Sequence, residues 1–556
     1  MKRLFHLSFI LIYLLIVVLL LVLILKPIFI SNNVIFPYSF QEFNICIKHP
    51  TAWFYIKLLY IIFYLLSNII ISNSIFNLLF KNITFPQNSP QKSEENNKLK
   101  LLIGNDSENH NIFIDENGLY QNFLITGTTG SGKTSSAMYP ITKQLIKYNN
   151  NKIGMLILDV KGNFYKQVKK FCTMFDREDD LVTIEIGGKY KYNPLHKPNL
   201  SPLVLANRLK TILLLFSENN SDSYWLDKVE QVFSEAIKLC RLYNNNYVNF
   251  LELHKLITDN NYFLEKISDI KTLFQQNKLS EKQSYDCLTA ITFFENEFNK
   301  LDSRVLSIIK SEITRITNLF ISDLDILNTF CSKNIEDLNF PGFEDVINNK
   351  KIVVLNMNIA KNKNLSKVIA AYLKLDFQDE VLQSIENNKA QTTAFICDEY
   401  HEYATDTDAN FFALSREAKC INVIATQSYT SILNTLKNEY STKVIIQNLI
   451  NKIWFRTDDM FTIEEAQKQI GKEDKVKISK NISENSNDVN YSILINSLKS
   501  DTSSFSESIS SYVQTDFVFD TNYFTKNLKT FEAVAFLSNG LEIIYSSKLS
   551  LIPYFK

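Results

Sequence analysis

The sequence predicts an α/β protein: a mostly parallel sheet around one phosphate-cradling loop, with an inserted all-α domain and an N-terminal two-helix transmembrane anchor. Three observations carry this. The run Gly127-Thr128-Thr129-Gly130-Ser131-Gly132-Lys133-Thr134 fits G-x-x-x-x-G-K-[ST] without gap or substitution. Short apolar, β-rich runs alternate with helical stretches on both sides of it. Between two of those runs, about 140 residues carry apolar positions at helical spacing with almost no Gly or Pro.

At 556 residues the chain has room for roughly two or three domains and a sizeable core. A composition 46% hydrophobic and 13% aromatic fits globular plus membrane segments and argues against disorder. Formal net charge is zero, so nothing global announces a nucleic-acid partner, although a ring-shaped motor needs only a local basic lining. The seven cysteines lie far apart with no C-x-x-C pair. They read as buried thiols in a reducing compartment, not as a disulfide framework or a zinc site.

Taken in order, residues 7–25 are apolar apart from Ser8 and Tyr13. That is long enough to cross a ~30 Å hydrocarbon core. A second run, 52–71, has Lys57 near one end, where its stem can snorkel; a buried core helix is the alternative for it. Lys2 and Arg3 on one flank and the Lys-bearing body on the other place both ends inside. Residues 1–81 therefore read as an anchor with spans at about 5–25 and 52–71, the bulk of the chain being cytoplasmic. The polar, Pro-containing stretch 82–98 reads as a linker.

Residues 99–200 and 339–556 form the nucleotide-binding domain. Asn122-Phe123-Leu124-Ile125 is a short buried strand feeding the loop, and 135–147 the helix that follows. Further strands are expected at 154–158, 351–355, 393–397 and 420–425, with a long amphipathic stretch at 365–382. The insertion, 201–338, shows helical spacing in Leu205-Leu209-Ile212-Leu213 and in Val232-Phe233-Ala236-Ile237-Cys240. Residues 480–511 are Ser/Asn-rich and weakly patterned, and read as a mobile surface segment. Two alternating runs, 531–536 and 541–545, form a hairpin turning at Ser538-Asn539-Gly540.

A strand running into a glycine-rich turn that opens a helix converges backbone N–H groups on phosphate oxygens. The candidate nucleotide-binding set is thus Gly127, Thr128, Thr129, Gly130, Ser131, Gly132, Lys133, Thr134 and Ser135. Lys133 would neutralise the β/γ phosphates of ATP, and the Thr134 hydroxyl would ligate Mg²⁺. Such a loop needs an acidic strand end, supplied by Ala394-Phe395-Ile396-Cys397-Asp398-Glu399. Asp398 would hold the Mg²⁺ shell and Glu399 would polarise the attacking water. Gln427, at the next strand end, would sense the γ-phosphate, or else simply neighbour the helix-capping Ser428. Arg416 and Arg456 are candidates for a finger reaching a neighbour's nucleotide; a surface salt bridge is the alternative for each. A zinc protease is excluded, because His401-Glu402-Tyr403-Ala404-Thr405 lacks the second His of H-E-x-x-H. No L-S-G-G-Q-like signature marks a transporter cassette.

Beyond the loop, several short runs stand in a specific order. These are Pro140 in the following helix, Leu158-Asp159-Val160-Lys161-Gly162-Asn163, Tyr192-Asn193-Pro194-Leu195 and Tyr224-Trp225. Cys397-Asp398-Glu399, Ala425-Thr426-Gln427-Ser428 and Ile552-Pro553-Tyr554-Phe555 complete the set. Together they resemble the type IV secretion coupling proteins, the TraG/TraD-like ATPases of conjugation with an FtsK/HerA-type P-loop motor. The resemblance implies a RecA-like motor domain, a membrane-distal helical domain and a homohexamer in the bacterial inner membrane. It implies partners in single-stranded DNA with its relaxase, or protein effectors, and in secretion-channel components, with transfer driven by ATP hydrolysis. Asn163 departs from the acidic residue the family often has there, so no catalytic role is assigned to it. A coupling ATPase for effectors only and a nucleotide-gated membrane scaffold are the two alternatives.

Overall fold

The computed structural model describes residues 99–556, with breaks at 149–150, 161, 217–222, 277, 358–362, 388, 486–503 and 556. Of the preceding stretch it describes Tyr55, Leu59, Ile62, Ser67, Asn68 and Ile71. The chain divides into two compact units, Met1–Asn97 and Lys98–Lys556, and the fold is that of the second.

The strands are, in chain order, β1 (Lys100–Asn105), β2 (Asn111–Asp115), β3 (Phe123–Thr126), β4 (Gly154–Leu158) and β5 (Leu181–Ile184). They continue with β6 (Ile352–Leu355), β7 (Thr393–Cys397), β8 (Cys420–Thr426) and β9 (Asn451–Phe455). Last come β10 (Lys472–Asn485), β11 (Ser504–Phe517), β12 (Glu532–Ser538) and β13 (Ile543–Ser550). An 11-stranded sheet runs β2-β1-β13-β12-β9-β3-β8-β7-β4-β6-β5. Every neighbouring pair from β9 to β5 is parallel. The other four strands extend the β9 side antiparallel. The α/β class follows from the residues: β3, β4, β6, β7 and β8 are buried along their whole length, as strands covered on both faces must be.

Successive side chains feed opposite cores. Phe123 and Ile125 of β3 pack with Ile141 and Leu145 of α1 (Tyr139–Lys147) and Val168 and Phe171 of α2 (Phe164–Met174). Leu124 belongs to the other face, shared with α3 (Lys363–Glu386), α4 (Asp408–Leu414), α5 (Tyr429–Leu436) and α6 (Glu439–Asn448). A last helix, α7 (Met460–Ile470), packs Ile463 and Ala466 against Trp454 of β9.

Between β5 and β6 the chain is helical: Pro202–Leu214, Ser223–Tyr243, Phe250–Thr258, Asn260–Gln275, Glu281–Thr292, Ser303–Ile321 and Leu324–Phe330 lead to a short helix at Phe343–Asn348. Side-chain caps start several of them. Ser201, Asn249, Asp259, Asp302 and Asp323 accept from first-turn N–H groups, and Ser280 with Gln283 forms a capping box. These helices have no core of their own. Phe233, Phe250, Ile313 and Phe320 are continuous with the α3 face of the sheet, so the insertion is packed onto the body.

Three expectations need correction. The multi-pass inner-membrane arrangement is overturned: among the described residues no helix is long and apolar enough to cross a membrane. The longest, α3 with 24 residues, carries Lys374, Asp376 and Asp379 along its length. The proposed span 5–25 lies outside the described residues, as does most of 52–71. Secondly, α3 is not simply amphipathic. It is buried on nearly all sides from Leu365 to Val381, because the sheet covers one side and the inserted helices the other. Thirdly, the described flanks of 480–511, residues 480–485 and 504–511, belong to strands, while 486–503 lies outside the described residues. β10 and β11 form a separate two-stranded antiparallel ribbon, with Val476 opposite Val513 and Lys480 opposite Ile509. The hairpin β12–β13 does turn at Asn539-Gly540, where Asn539 Oδ1 accepts from Leu541 and Glu542 N–H (2.9 Å each).

Candidate functional site

Three strand ends converge on the glycine-rich loop. At the carboxyl end of β3, Gly127 N–H donates to the Gln427 carbonyl (3.1 Å) and Thr128 N–H to the Arg456 carbonyl (2.9 Å). The loop is thereby latched to the ends of both neighbouring strands, β8 and β9. The Ser131 hydroxyl closes the turn onto the Thr128 carbonyl (2.8 Å). Gly132 is needed for two reasons: its φ is +106°, and a Cβ there would lie 2.6 Å from the Phe531 ring. The chain then enters a wide π-type turn, Lys133–Met138, ahead of α1, where a continuous α-helix was expected. Such a turn widens the helix mouth that faces the loop.

Lys133 is buried, its ammonium donating to the carbonyls of Gly127 and Thr128 (3.3 Å). The Thr134 hydroxyl donates to Asp398 Oδ2 (2.8 Å), bringing together two groups 264 residues apart. Asp398 directly follows β7; its N–H donates to the Leu158 carbonyl of β4, and its Oδ1 accepts from Glu399 N–H (3.0 Å). Glu399 sits in the left-handed region (φ 50°, ψ 45°) and is 7% exposed. For a residue with a Cβ that conformation is strained, and strain of this kind gathers where side chains must be aimed.

A buried polar cluster holds the turn after Glu399. Lys374 of α3 donates to the Tyr403 carbonyl (2.7 Å), the Thr405 hydroxyl (2.8 Å) and Asp408 Oδ2 (2.7 Å). Tyr400 OH and Thr405 N–H donate to the same carboxylate oxygen, and Gln378 to the other (2.9 Å). Two residues on, α3 turns to the insertion: Asp376 accepts from Arg208 (3.0 Å) and pairs with Lys197 (2.7 Å). Those two cations hold the buried Asp376 carboxyl below the usual range against the upward push of burial. One helix therefore touches both the acidic turn and the first inserted helix.

His401 lies beside this turn, with Nδ1 3.2 Å from the Thr426 hydroxyl and 3.8 Å from Glu399. Burial lowers its pKa, and Lys367 and Lys133 push the same way, against Glu399 and Glu402. The neutral imidazole is favoured.

The predicted site residues fall into three groups. Lys133, Thr134, Asp398 and Glu399 are brought together, with the loop residues Gly127 to Ser135 around them. Gln427 and Arg456 join the rim through their backbone carbonyls, both being exposed. Arg416 stands apart: it is exposed in the turn before β8, at the amino end of a strand whose carboxyl end meets the loop. Among the described residues no cluster of three or more His, Cys, Asp or Glu could hold a metal. A hydroxyl and one carboxylate suit Mg²⁺, which keeps several waters and shares phosphate oxygens. The six described cysteines are free and buried.

Sequence reasoning missed the segment that closes over the loop. Phe531 N–H donates to the Ser131 carbonyl (3.1 Å), and Tyr554 N–H to the Ser135 carbonyl (2.9 Å). Tyr139 packs edge-on against both Phe164 and Tyr554. The run Ile552-Pro553-Tyr554-Phe555 had drawn attention only as part of a family likeness.

Fold and site together define a P-loop α/β protein. Two family models match the sequence: the FtsK/SpoIIIE family over residues 86–176, and the TraM recognition site of TraD and TraG over residues 392–516. These two segment matches support a likeness to the TraG/TraD-like coupling proteins. No curated protein matches it. Among solved structures, the unbound monoclinic form of the bacterial conjugative coupling protein TrwBdeltaN70 aligns with TM-score 0.53 at 12% identity. The alignment covers 79% of this chain and 87% of that one. TrwB in complex with the GTP analogue GDPNP gives the same figures. TrwB with ADP and Mg²⁺ gives 0.51 at 12% identity, covering 78% of this chain and 86% of that one. At these identities the likeness is one of fold.

Proposed function

We propose that this chain is a nucleotide-hydrolysing motor of a conjugation or secretion apparatus, moving DNA with its relaxase. The observation that carries the reading is the 2.8 Å contact between Thr134 and Asp398, which joins phosphate loop and acidic strand end at one point. The loop N–H groups and Lys133 bind and neutralise the phosphates of ATP. Thr134 and Asp398 would hold Mg²⁺, which would supply charge neutralisation across the phosphates. Glu399 accepts the proton of the attacking water while the γ-phosphoryl group leaves the ADP oxygen, a role worth roughly 10²–10⁴-fold in rate. Gln427, on the rim, senses the γ-phosphate. Arg456 stabilises charge from its own loop, and Arg416, exposed at the far edge, serves a neighbouring copy if the motor is a homohexamer.

TrwB structures hold ADP with Mg²⁺ and analogues of GTP and ATP, which supports nucleotide and Mg²⁺ as cofactors here. The match to the TraM recognition site supports a relaxosome or secretion-channel partner on residues 392–516. The test is ATP turnover by the full chain and two variants. Lys133→Ala should abolish turnover. Glu399→Gln should still bind ATP with Mg²⁺ yet hydrolyse at least about 100-fold more slowly. Wild-type turnover in either variant would overturn its assignment.

A further inference from the structure

The loop side of the sheet carries an aromatic feature that phosphate chemistry does not use. Phe531 lies against Gly132 so closely that no side chain fits between them, and its own φ of 69° is in the left-handed region. That is a strained conformation for a bulky residue, held by hydrogen bonds to Ser131 and Leu551 on either side of the peptide. Phe555 meets Phe531 edge to face, ring centroids 6.1 Å apart, and remains 61% exposed. The Tyr554 N–H bond to the Ser135 carbonyl fixes the segment at the residue that ends the loop motif. Ile552 of the same segment is also exposed (43%).

An exposed aromatic ring tied by main-chain bonds to the rim of a phosphate loop offers a π-face beside the phosphate cradle, and the part of a nucleotide that a π-face suits is its base. We infer that Phe555, backed by Phe531, is a stacking shelf for the nucleobase, and this rests on the nucleotide-binding reading above. The shelf offers a π-face and aliphatic surface, with Phe531, Phe555 and Ile552 all lacking polar side-chain atoms. It therefore stacks a purine without reading its edge, and adenine and guanine nucleotides should gain equally from it.

The test is equilibrium binding to the full chain of ATP, GTP and inorganic tripolyphosphate, each with Mg²⁺. Phe555→Ala is the variant, since the exposed ring can be removed without opening a core, and Phe555→Trp is its conservative partner. Phe555→Ala should weaken ATP and GTP alike by about tenfold, leave tripolyphosphate unchanged, and be rescued by Phe555→Trp. Unchanged ATP affinity in Phe555→Ala would overturn the shelf. So would an equal loss for tripolyphosphate, which would mean a distorted loop. Failure of the wild-type chain to bind ATP at all would instead overturn the nucleotide-binding reading itself.

Discussion

Lys452 shows how much a single side chain conceals. It lies within β9, 2% exposed, donating to the carbonyls of Ile446 (2.8 Å) and Leu449 at the end of α6. Burial pushes its ammonium down to about 7. An unfolded lysine keeps its proton to about pH 10.4. Between those values the unfolded chain binds more protons than the folded one, so stability should rise with pH from about 7 to about 10. It is lost again as pH falls towards 7. Melting temperatures of wild type and Lys452→Met across this window check the point: the wild-type rise should shrink in the variant, and identical pH slopes would contradict it. The same residue explains why β9 is hard to read in sequence. Asn451 and Lys452 look like surface polarity, yet Asn451 donates to the Gly118 carbonyl and accepts from Ser538 N–H (2.8 Å each). Glu399 and Asp398 were legible because an apolar run ends on them; Phe531 and Phe555 were not, because only three-dimensional contact brings them to the loop.

At the scale of elements, α3 is the piece on which site and insertion both depend. Its Lys374–Asp408 pair is wholly buried, and removing one partner strands the other charge. Lys374→Met should cost about 3–5 kcal/mol of stability and loosen the turn carrying Glu399. Lys374→Met with Asp408→Asn should recover much of that, since Tyr400 OH and Thr405 N–H still find the amide oxygen and the Gln378 amide can turn its own oxygen to the new NH2. Thermal unfolding of the two variants measures this; equal stability of Lys374→Met and wild type would show that the cluster does not hold the fold. Strands with mostly apolar runs, such as β4, β6, β7 and β8, were plain in the sequence from composition and length. β10 and β11 were hidden because Ser, Asn and Lys alternate with their apolar residues. Val476, Ile478, Ile509 and Val513 are indeed 65–73% exposed, so no burial sharpens the pattern. The wide turn at Lys133–Met138 has no composition of its own and was not foreseeable.

For the whole molecule, the fold gathers the candidate nucleotide site at the carboxyl ends of β3, β7 and β8 and packs the helical insertion against the sheet face that carries α3. The alternation of strands and helices made the α/β class readable, whereas the antiparallel extension through β12, β13, β1 and β2 depends on pairings distant in sequence. If copies share sites, mixing Arg416→Ala with Lys133→Ala should restore part of the turnover lost by each, whereas Arg456→Ala should show no rescue. Absence of rescue for Arg416 would remove its inter-subunit role. The central claim, a nucleotide-driven motor, is tested most directly by ATP hydrolysis of the full chain across protein concentrations, with and without single-stranded DNA. The account predicts turnover that rises steeply with concentration, is stimulated by DNA and disappears in Lys133→Ala. Hydrolysis absent under all these conditions, or present equally in Lys133→Ala, would contradict it.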